Sequence, residues 1–457
     1  MAEPRHVAVI DIGKTNAKVV VVDLGAMAEI DAVRTPNRVV TGGLYPHHDP
    51  ERLWNFILEA LAALARRHRI DAVSVTTHGA TAALLDEHGN LALPILDYEH
   101  DGPDDLAANY DAVRPPFAES GTPRLPGGLN LGAQIFWQSK TFPERFSAIR
   151  TILPYPQYWA FRLTGVQATE VTSLGCHTDL WNPARRDFSS MVDRLGWRRL
   201  MPPLRAASDR LGPILPEIAA RTGLSPQTPV HCGIHDSNAS LLPHVLHRKP
   251  PFAVVSTGTW VVSMAVGGTH RDLDPARDTL VNVNALGDPV PSARFMGGRE
   301  YEMLIGNDIS RASEADIARV LSGNLMLLPA AQQGSGPFPQ RTAEWIASRS
   351  LAAGERSAVV SFYLALMTAT CLDLIGASGE TIVEGGFADN RLFLDMLGAA
   401  TGRPIFVSAA NATGTSLGAA ELAVSGCGQR DIVRPVEPAA DGELLASYAE
   451  AWRARIS

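Results

Sequence analysis

Two short stretches carry residue types that could handle phosphate. In the first, Val7-Ala8-Val9-Ile10 runs into Asp11, a Gly13-Lys14-Thr15-Asn16 turn follows, and a second apolar run extends from Lys18 to Val22. Two apolar strands joined by a Gly- and Thr-bearing turn read as a β-hairpin. Asp11 can hold Mg²⁺ directly or through water, and Gly13 lets a ligand approach the backbone. Thr15, Asn16 and Lys18 present the hydroxyl, amide, ammonium and N–H donors that phosphate oxygens accept. Any hairpin can carry Gly-x-Thr-Asn, so this motif alone leaves a phosphate loop and an ordinary turn both open.

The second stretch repeats the design. Ala253-Val254-Val255-Ser256 leads into Thr257-Gly258-Thr259-Trp260, and Val261-Val262 returns. The copies stand about half the chain apart, which indicates a duplicated domain; a solenoid would repeat every ~20–50 residues. Two such hairpins facing across a cleft would grip the phosphates of one nucleotide from both sides, as in the actin-like ATPase fold.

Other candidates sit at strand ends. Asp236 follows Gly233 and precedes the small residues Ser237, Ala239 and Ser240. There it can face a cleft as a proton acceptor or cap the helix that begins at Ser237; the two readings are compatible. His78 and Gly79 end the buried strand Ala72–Thr77, where α/β proteins bind ligands. A core histidine is the alternative. Gly385 and Gly386 end a strand through Thr381-Ile382-Val383, and Asn390 opens a helix to Thr401.

The elements that must position these groups alternate between strand and helix, which makes the class α/β. Asp49 to Arg67 has helical periodicity with Asp49 as N-cap. Strands are expected at Ala82–Asp86 and Leu91–Leu96. Helices are expected at Gln134–Lys140, Tyr158–Leu163, Arg185–Arg199, Gly354–Ile375 and Thr415–Ser425. Pro243, Pro250 and Pro251 bracket a basic stretch, which places a domain boundary there, with domains at 1–243 and 244–457.

At 457 residues the chain is too long for one ordinary core. Its 46% hydrophobic and 19% charged residues are those of a packed globular protein. A net charge of −8 without a basic stripe argues against nucleic acid as partner. Cys176, Cys232, Cys371 and Cys427 are far apart and lack metal spacing, which fits a reducing compartment. With no signal peptide and no uninterrupted apolar span, the expected location is the cytoplasm, away from membranes. Only four lysines occur, and two, Lys14 and Lys18, fall in the first hairpin.

The order DIGKTNAK, THG, a Trp-bearing helix, LTG, GIHDSNAS, STGTW, EGGFADN and GTSLGAAELA resembles the FGGY family of carbohydrate kinases over nearly the whole chain. HD-S-x-A-S at His235–Ser240 and S-T-G-T-W at Ser256–Trp260 bring it nearest to that family's rhamnulokinase- and L-fuculokinase-like members. The resemblance implies two actin-like ATPase (ribonuclease H-like) domains with a cleft between them. It implies transfer of the γ-phosphoryl group of ATP, with Mg²⁺, to a hydroxyl of a ketose, first a deoxy-ketohexose such as L-rhamnulose or L-fuculose. The partners would be the sugar and ATP, and the chain a monomer or homodimer. Asp236 becomes the general base, with Asp11 and Asp236 on the metal. His78, Gly79, Glu99, Trp137 and His235 fall on the sugar side. Asp11, Gly13, Thr15, Asn16, Lys18, Thr257, Gly258 and Thr259 fall on phosphate, and Gly385, Gly386 and Asn390 on adenine. For Trp137 a core aromatic is the open alternative. Leu96-Asp97-Tyr98-Glu99-His100 departs from the family's Trp-Asn-Asp-like text, Gln134 replaces its usual Lys, and Asp395 its usual Gln. A xylulose, ribulose or glycerol type of acceptor, or an actin- or chaperone-like ATPase with no sugar, are the competing readings.

Overall fold

Alternation along the first hairpin decides the first sheet. In β1 (His6–Ile12), Val7 and Val9 enter one hydrophobic cluster while Ala8, Ile10 and Ile12 enter another. In β2 (Asn16–Asp23), Val20 and Val22 face the first and Val19 and Val21 the second. A strand whose successive side chains are all apolar must be covered on both faces. The helices Pro50–Ala65 and Tyr155–Thr164 cover one face through Leu53, Ile57, Leu61 and Trp159. Leu242 of helix Asp236–His247 and Leu417 of helix Gly414–Glu421 cover the other. Asp49 caps the first of these helices by accepting from the Arg52 amide at 3.0 Å.

The computed structural model describes residues 4–306, 310–408, 414–424 and 433–456. Cys427 and the end of the helix expected at Thr415–Ser425 lie outside the described residues. The chain divides into two units. One holds residues 1–247, Val281–Pro289 and the described part of 410–430; the other holds Arg248–Leu280, 290–409 and 431–457 as far as described. Helix Gly414–Glu421 packs in the first unit because Gly418 leaves room: a Cβ there would stand 1.8 Å from the Ala239 carbonyl oxygen.

Both units build a sheet with the same central strand order. In the first, β3 (Ala28–Pro36), β4 (Ala72–Thr77), β5 (Arg210–Pro213) and β6 (Pro229–His231) complete the order β3-β2-β1-β4-β6-β5, and β7 (Ile234–His235) also pairs with β4. In the second, β8 (Phe252–Thr257), β9 (Val261–Val266), β10 (Pro289–Phe295), β11 (Glu380–Gly385), β12 (Ile405–Ser408) and β13 (Val433–Pro435) run β10-β9-β8-β11-β12-β13. Each is an antiparallel meander followed by two parallel strands and an antiparallel edge strand. This duplicated architecture is that of two actin-like ATPase domains. The apolar helix Ala353–Leu374 is the core of the second unit; by length and composition it could cross a membrane, but its residues are mostly buried within the protein.

Two expected elements differ. Arg185–Arg199 is not one helix: Asp187–Phe188 pairs with Trp181–Asn182, and only Ser190–Arg194 is α-helical. Gly196, at φ +68°, ends the helical run. Leu91–Leu96 is not a strand; it makes only single bridges, Leu85 to Leu91 and His47 to Leu96.

Candidate functional site

In the first unit three strand ends lie side by side. Asp11 is in register with Thr76 and Ile12 with Thr77, while Ile234 and His235 pair with the same two residues of β4 from its other side. The His78 amide donates to the Ile12 carbonyl at 2.9 Å. Asp11, His78 and Asp236 therefore emerge at one carboxyl edge, where open α/β sheets place ligands.

Asp236 is the first residue of its helix. Its Oδ1 accepts from the Ser237 amide at 2.6 Å and lies 3.2 Å from His235 Nε2. Its side chain is about one-third exposed, 32%. Asp236 thus combines a helix-start role with an accessible carboxylate. His235 is buried; burial opposes its charge, yet Cys176 and Asp236 outweigh that and hold it at about 9. The raised pKa favours the charged ring, which faces the Asp236 carboxylate as an ion-pair partner. Gly79 is needed beside it, because a Cβ at Gly79 would stand 2.7 Å from His235 Nε2. Behind His235, buried Glu170 accepts from the Thr172 hydroxyl, which in turn accepts from the His235 amide. Burial pushes Glu170 up to about 7.

Asp11 is pushed up to about 6, first by burial and then by the charge of Asp236, while Lys18 works the other way. Lys18 Nζ lies 3.6 Å from Asp11 and 2.8 Å from Glu29, so its ammonium is engaged with carboxylates. A carboxylate whose ionisation a neighbouring carboxylate opposes suits a cation, and Mg²⁺ commonly takes one or two carboxylates besides water and phosphate oxygens. Asp11 and Asp236 fit that pattern, and no cluster of three or more metal-ligating side chains occurs among the described residues.

His78 is buried, with Nδ1 3.0 Å from the Gly79 carbonyl and Nε2 without a partner among the described residues. Burial keeps it neutral by lowering its pKa. His48, fully buried with both ring nitrogens unpartnered among the described residues, lies 5.2 Å from it between ring centroids, and Tyr98 lies 5.4 Å from it on another side. His48, in a two-residue strand, carries no sequence signal, whereas Tyr98 lies in the segment 96–100 that departs from the family text. Glu99 is exposed at the rim of this segment. Trp137 is buried against Tyr45, His100 and Phe142 with centroids 5.3–5.5 Å apart, in a packing position beneath the segment.

The Gly13–Asn16 turn is closed by the Gly13 amide on the Asn16 carbonyl at 2.9 Å. Buried Asn37 holds it from the side, donating from Nδ2 to the Gly13 carbonyl and from its amide to the Thr15 carbonyl, both at 2.8 Å. Thr15 and Asn16 are exposed at its tip.

In the second unit the turn of the other hairpin borders a cavity of about 840 Å³, lined among others by Gly258, Thr259, Tyr301, Gly386 and Asn390. Gly258 and Thr259 are exposed, whereas Thr257 is buried. The Thr257 hydroxyl donates to the Glu384 carbonyl and accepts from the Phe387 amide at 2.9 Å, so it joins the hairpin to the Gly385-Gly386 turn. Gly385, at φ +82°, is required there: a Cβ would stand 2.0 Å from the Thr257 carbonyl oxygen. Asn390 caps helix Arg391–Thr401 by accepting from the Phe393 amide at 3.2 Å and donates to Ser361 at 3.0 Å. Asp395 pairs with Arg391.

The fold and these two sites define a protein built of actin-like ATPase domains. Residues 6–243 match the N-terminal domain of the FGGY family of carbohydrate kinases, and residues 249–431 match a carbohydrate kinase FGGY C-terminal domain. The chain belongs to the FGGY family of carbohydrate kinases. A carbohydrate kinase from Novosphingobium aromaticivorans is 39% identical with a TM-score of 0.92, covering 100% of this chain and 99% of that one. L-fuculokinase of Escherichia coli K12 is 25% identical over 273 residues, 56% of each chain. Xylulose kinase of the same strain is 28% identical over 242 residues, 50% of this chain and 48% of its own. The chain thus spans about half the length of the curated relatives it matches.

Proposed function

We propose that this chain is an ATP-dependent sugar kinase that phosphorylates a hydroxyl of a ketose, with a deoxy-ketohexose such as L-fuculose or L-rhamnulose as first choice. The observation that carries the reading is the shared edge of Asp11, His78 and Asp236, with the Asp236 carboxylate 3.2 Å from His235 Nε2 yet open to solvent. The unpartnered His78 Nε2 at that edge suits a hydroxyl acceptor and favours this reading over an actin- or chaperone-like ATPase. The kinship with L-fuculokinase supports the deoxy-ketohexose, and the kinship with xylulose kinase supports a ketopentose as the second reading.

Phosphoryl transfer needs alignment, charge neutralisation and an acceptor for the hydroxyl proton. In this reading His78 Nε2 orients a sugar hydroxyl, and Asp236 receives the proton as that oxygen bonds to the γ-phosphorus and the bond to the ADP oxygen breaks. His235 holds the carboxylate in line. Bound Mg²⁺, on Asp11 and Asp236, would neutralise phosphate charge. Thr15 and Asn16 of the first turn and Gly258 and Thr259 of the second offer donors to phosphate oxygens; Gly385, Gly386 and Asn390 shape the adenine side. An ADP-release screen over deoxy-ketohexoses, ketopentoses, aldoses and polyols tests the reading. A ketose that raises ADP release well above the idle rate is the expected result; strong hydrolysis indifferent to every sugar would replace it with the ATPase reading.

A further inference from the structure

Lys14 ties the first hairpin's turn to the segment 97–99. Its Nζ pairs with Asp97, lies 3.3 Å from Glu99 Oε2 and stands 4.5 Å over the Tyr98 ring. The Lys14 side chain is only 18% exposed and the Asp97 side chain 8%. The backbone on either side of Lys14 is fixed by Asn37 at Gly13 and Thr15. The ammonium therefore reaches out from a rigid turn. It also lies close enough to His78 and His48 for its charge to add to the lowering of both imidazoles. Tyr98, held beneath it, is the ring beside His78.

We propose that Lys14 is a positioning and specificity residue: it clamps Asp97 and Glu99 as acceptors of sugar hydroxyls and thereby restricts the acceptor to uncharged polyhydroxy compounds. The proposal rests on the sugar-kinase reading and adds to it the charge class of the substrate. The reasoning is electrostatic. A lone lysine beside an acceptor pocket would attract a carboxylate. Here the lysine already serves two carboxylates, and Asp11 and Asp236 stand at the neighbouring strand ends. Lys18, the other cation at the turn, is taken up by Asp11 and Glu29. A sugar acid entering this pocket meets an excess of negative charge in a partly desolvated place, where like charges are costly. A neutral polyol instead donates hydroxyls to carboxylate oxygens that Lys14 holds in place, and such charged hydrogen bonds are the strong ones.

The test has two independent arms. In the first, the wild type is offered matched pairs of ketoses and the corresponding keto-acids; the ketose is expected to be favoured. Glu99→Gln, which frees part of the Lys14 charge, is expected to shift the preference toward the acid by about tenfold or more. Lys14→Met is expected to raise KM for the sugar by about tenfold with KM for ATP unchanged, and Lys14→Arg to retain most of the wild-type value. In the second arm, hydrogen exchange of the peptide carrying 96–100 is followed in the protein without ligand. Lys14→Met is expected to speed exchange there, and Lys18→Met to leave it unchanged. A wild type that prefers carboxylate-bearing acceptors, or unchanged exchange at 96–100 in Lys14→Met, overturns the proposal. If no acceptor of either class is phosphorylated, the kinase reading falls, the specificity claim falls with it, and the exchange arm still decides the clamp.

Discussion

A Cβ placed on Gly298 would stand 2.1 Å from the Gly258 carbonyl oxygen, so the start of helix Gly297–Ile305 is seated directly on the turn of the second hairpin. The Arg299 amide donates to the Thr259 carbonyl across the same contact, at 3.4 Å. The Gly297-Gly298 start lets the helix reach the backbone of a phosphate-type turn and hold its shape.

Gly298→Ala is therefore expected to displace the Gly258–Thr259 turn and weaken nucleotide binding by about tenfold or more. Calorimetry with ADP checks it. Sugar binding, which the proposed function places on residues of the other unit, is expected to stay the same. Unchanged ADP affinity would mean that the turn does not contact the nucleotide.

Asp236→Asn is expected to lower turnover by on the order of 10² or more, the range general bases contribute, while sugar and nucleotide still bind. The amide keeps an oxygen for the Ser237 N–H, which now donates at 2.6 Å, so the helix start survives. Retention of more than about a tenth of wild-type turnover would sink the base assignment.

Sequence patterning made the two hairpins legible because alternation, turn residues and strand length are local properties. The Asp49 cap and the strand Ala72–Thr77 came through for the same reason. Long-range polar contacts did not. Thr257 reads as a phosphate donor, but its hydroxyl is engaged with Glu384 and Phe387, well over a hundred residues further on. Lys14 lay in plain view within the motif, yet only the folded chain brings Asp97 and Glu99 to it. Periodicity over Arg185–Arg199 suggested one helix because a glycine at φ +68° costs little in a sequence count and a great deal in a helix.

Thr257→Val keeps the shape and removes the hydroxyl. It leaves the Phe387 amide without its acceptor at 2.9 Å, a buried loss of about 1–3 kcal/mol. The expected result is a lower thermal midpoint together with weaker ADP binding, and Thr257→Ser should restore both. A valine variant with normal stability and reduced turnover alone would instead return the hydroxyl to the phosphate.

Glu300 gives a pH dependence that no site residue is needed to read. It is buried at 1% exposure; Oε2 accepts from the Tyr363 hydroxyl at 2.8 Å and Oε1 from the Gln332 amide at 3.2 Å. Burial nevertheless dominates and pushes it up to about 7. An acid whose folded pKa is raised holds its proton in the native state while the unfolded chain has released it. Stability from this group is therefore full below the ordinary glutamate range of about 4.3 and is lost as pH rises through about 7. The slope cannot exceed about 1.4 kcal/mol per pH unit, and the integrated effect is on the order of 3–4 kcal/mol. Glu300→Gln copies the protonated form, since its amide can donate to Tyr363, whose oxygen already accepts from Ala331. Thermal midpoints of wild type and variant should lie close together near pH 4, with the variant increasingly ahead as pH rises through 5.5 to 8. Glu170, also near 7, adds the same slope to both proteins and cancels in the difference. Parallel midpoints from pH 5.5 to 8 would show that Glu300 is already ionised in the native protein.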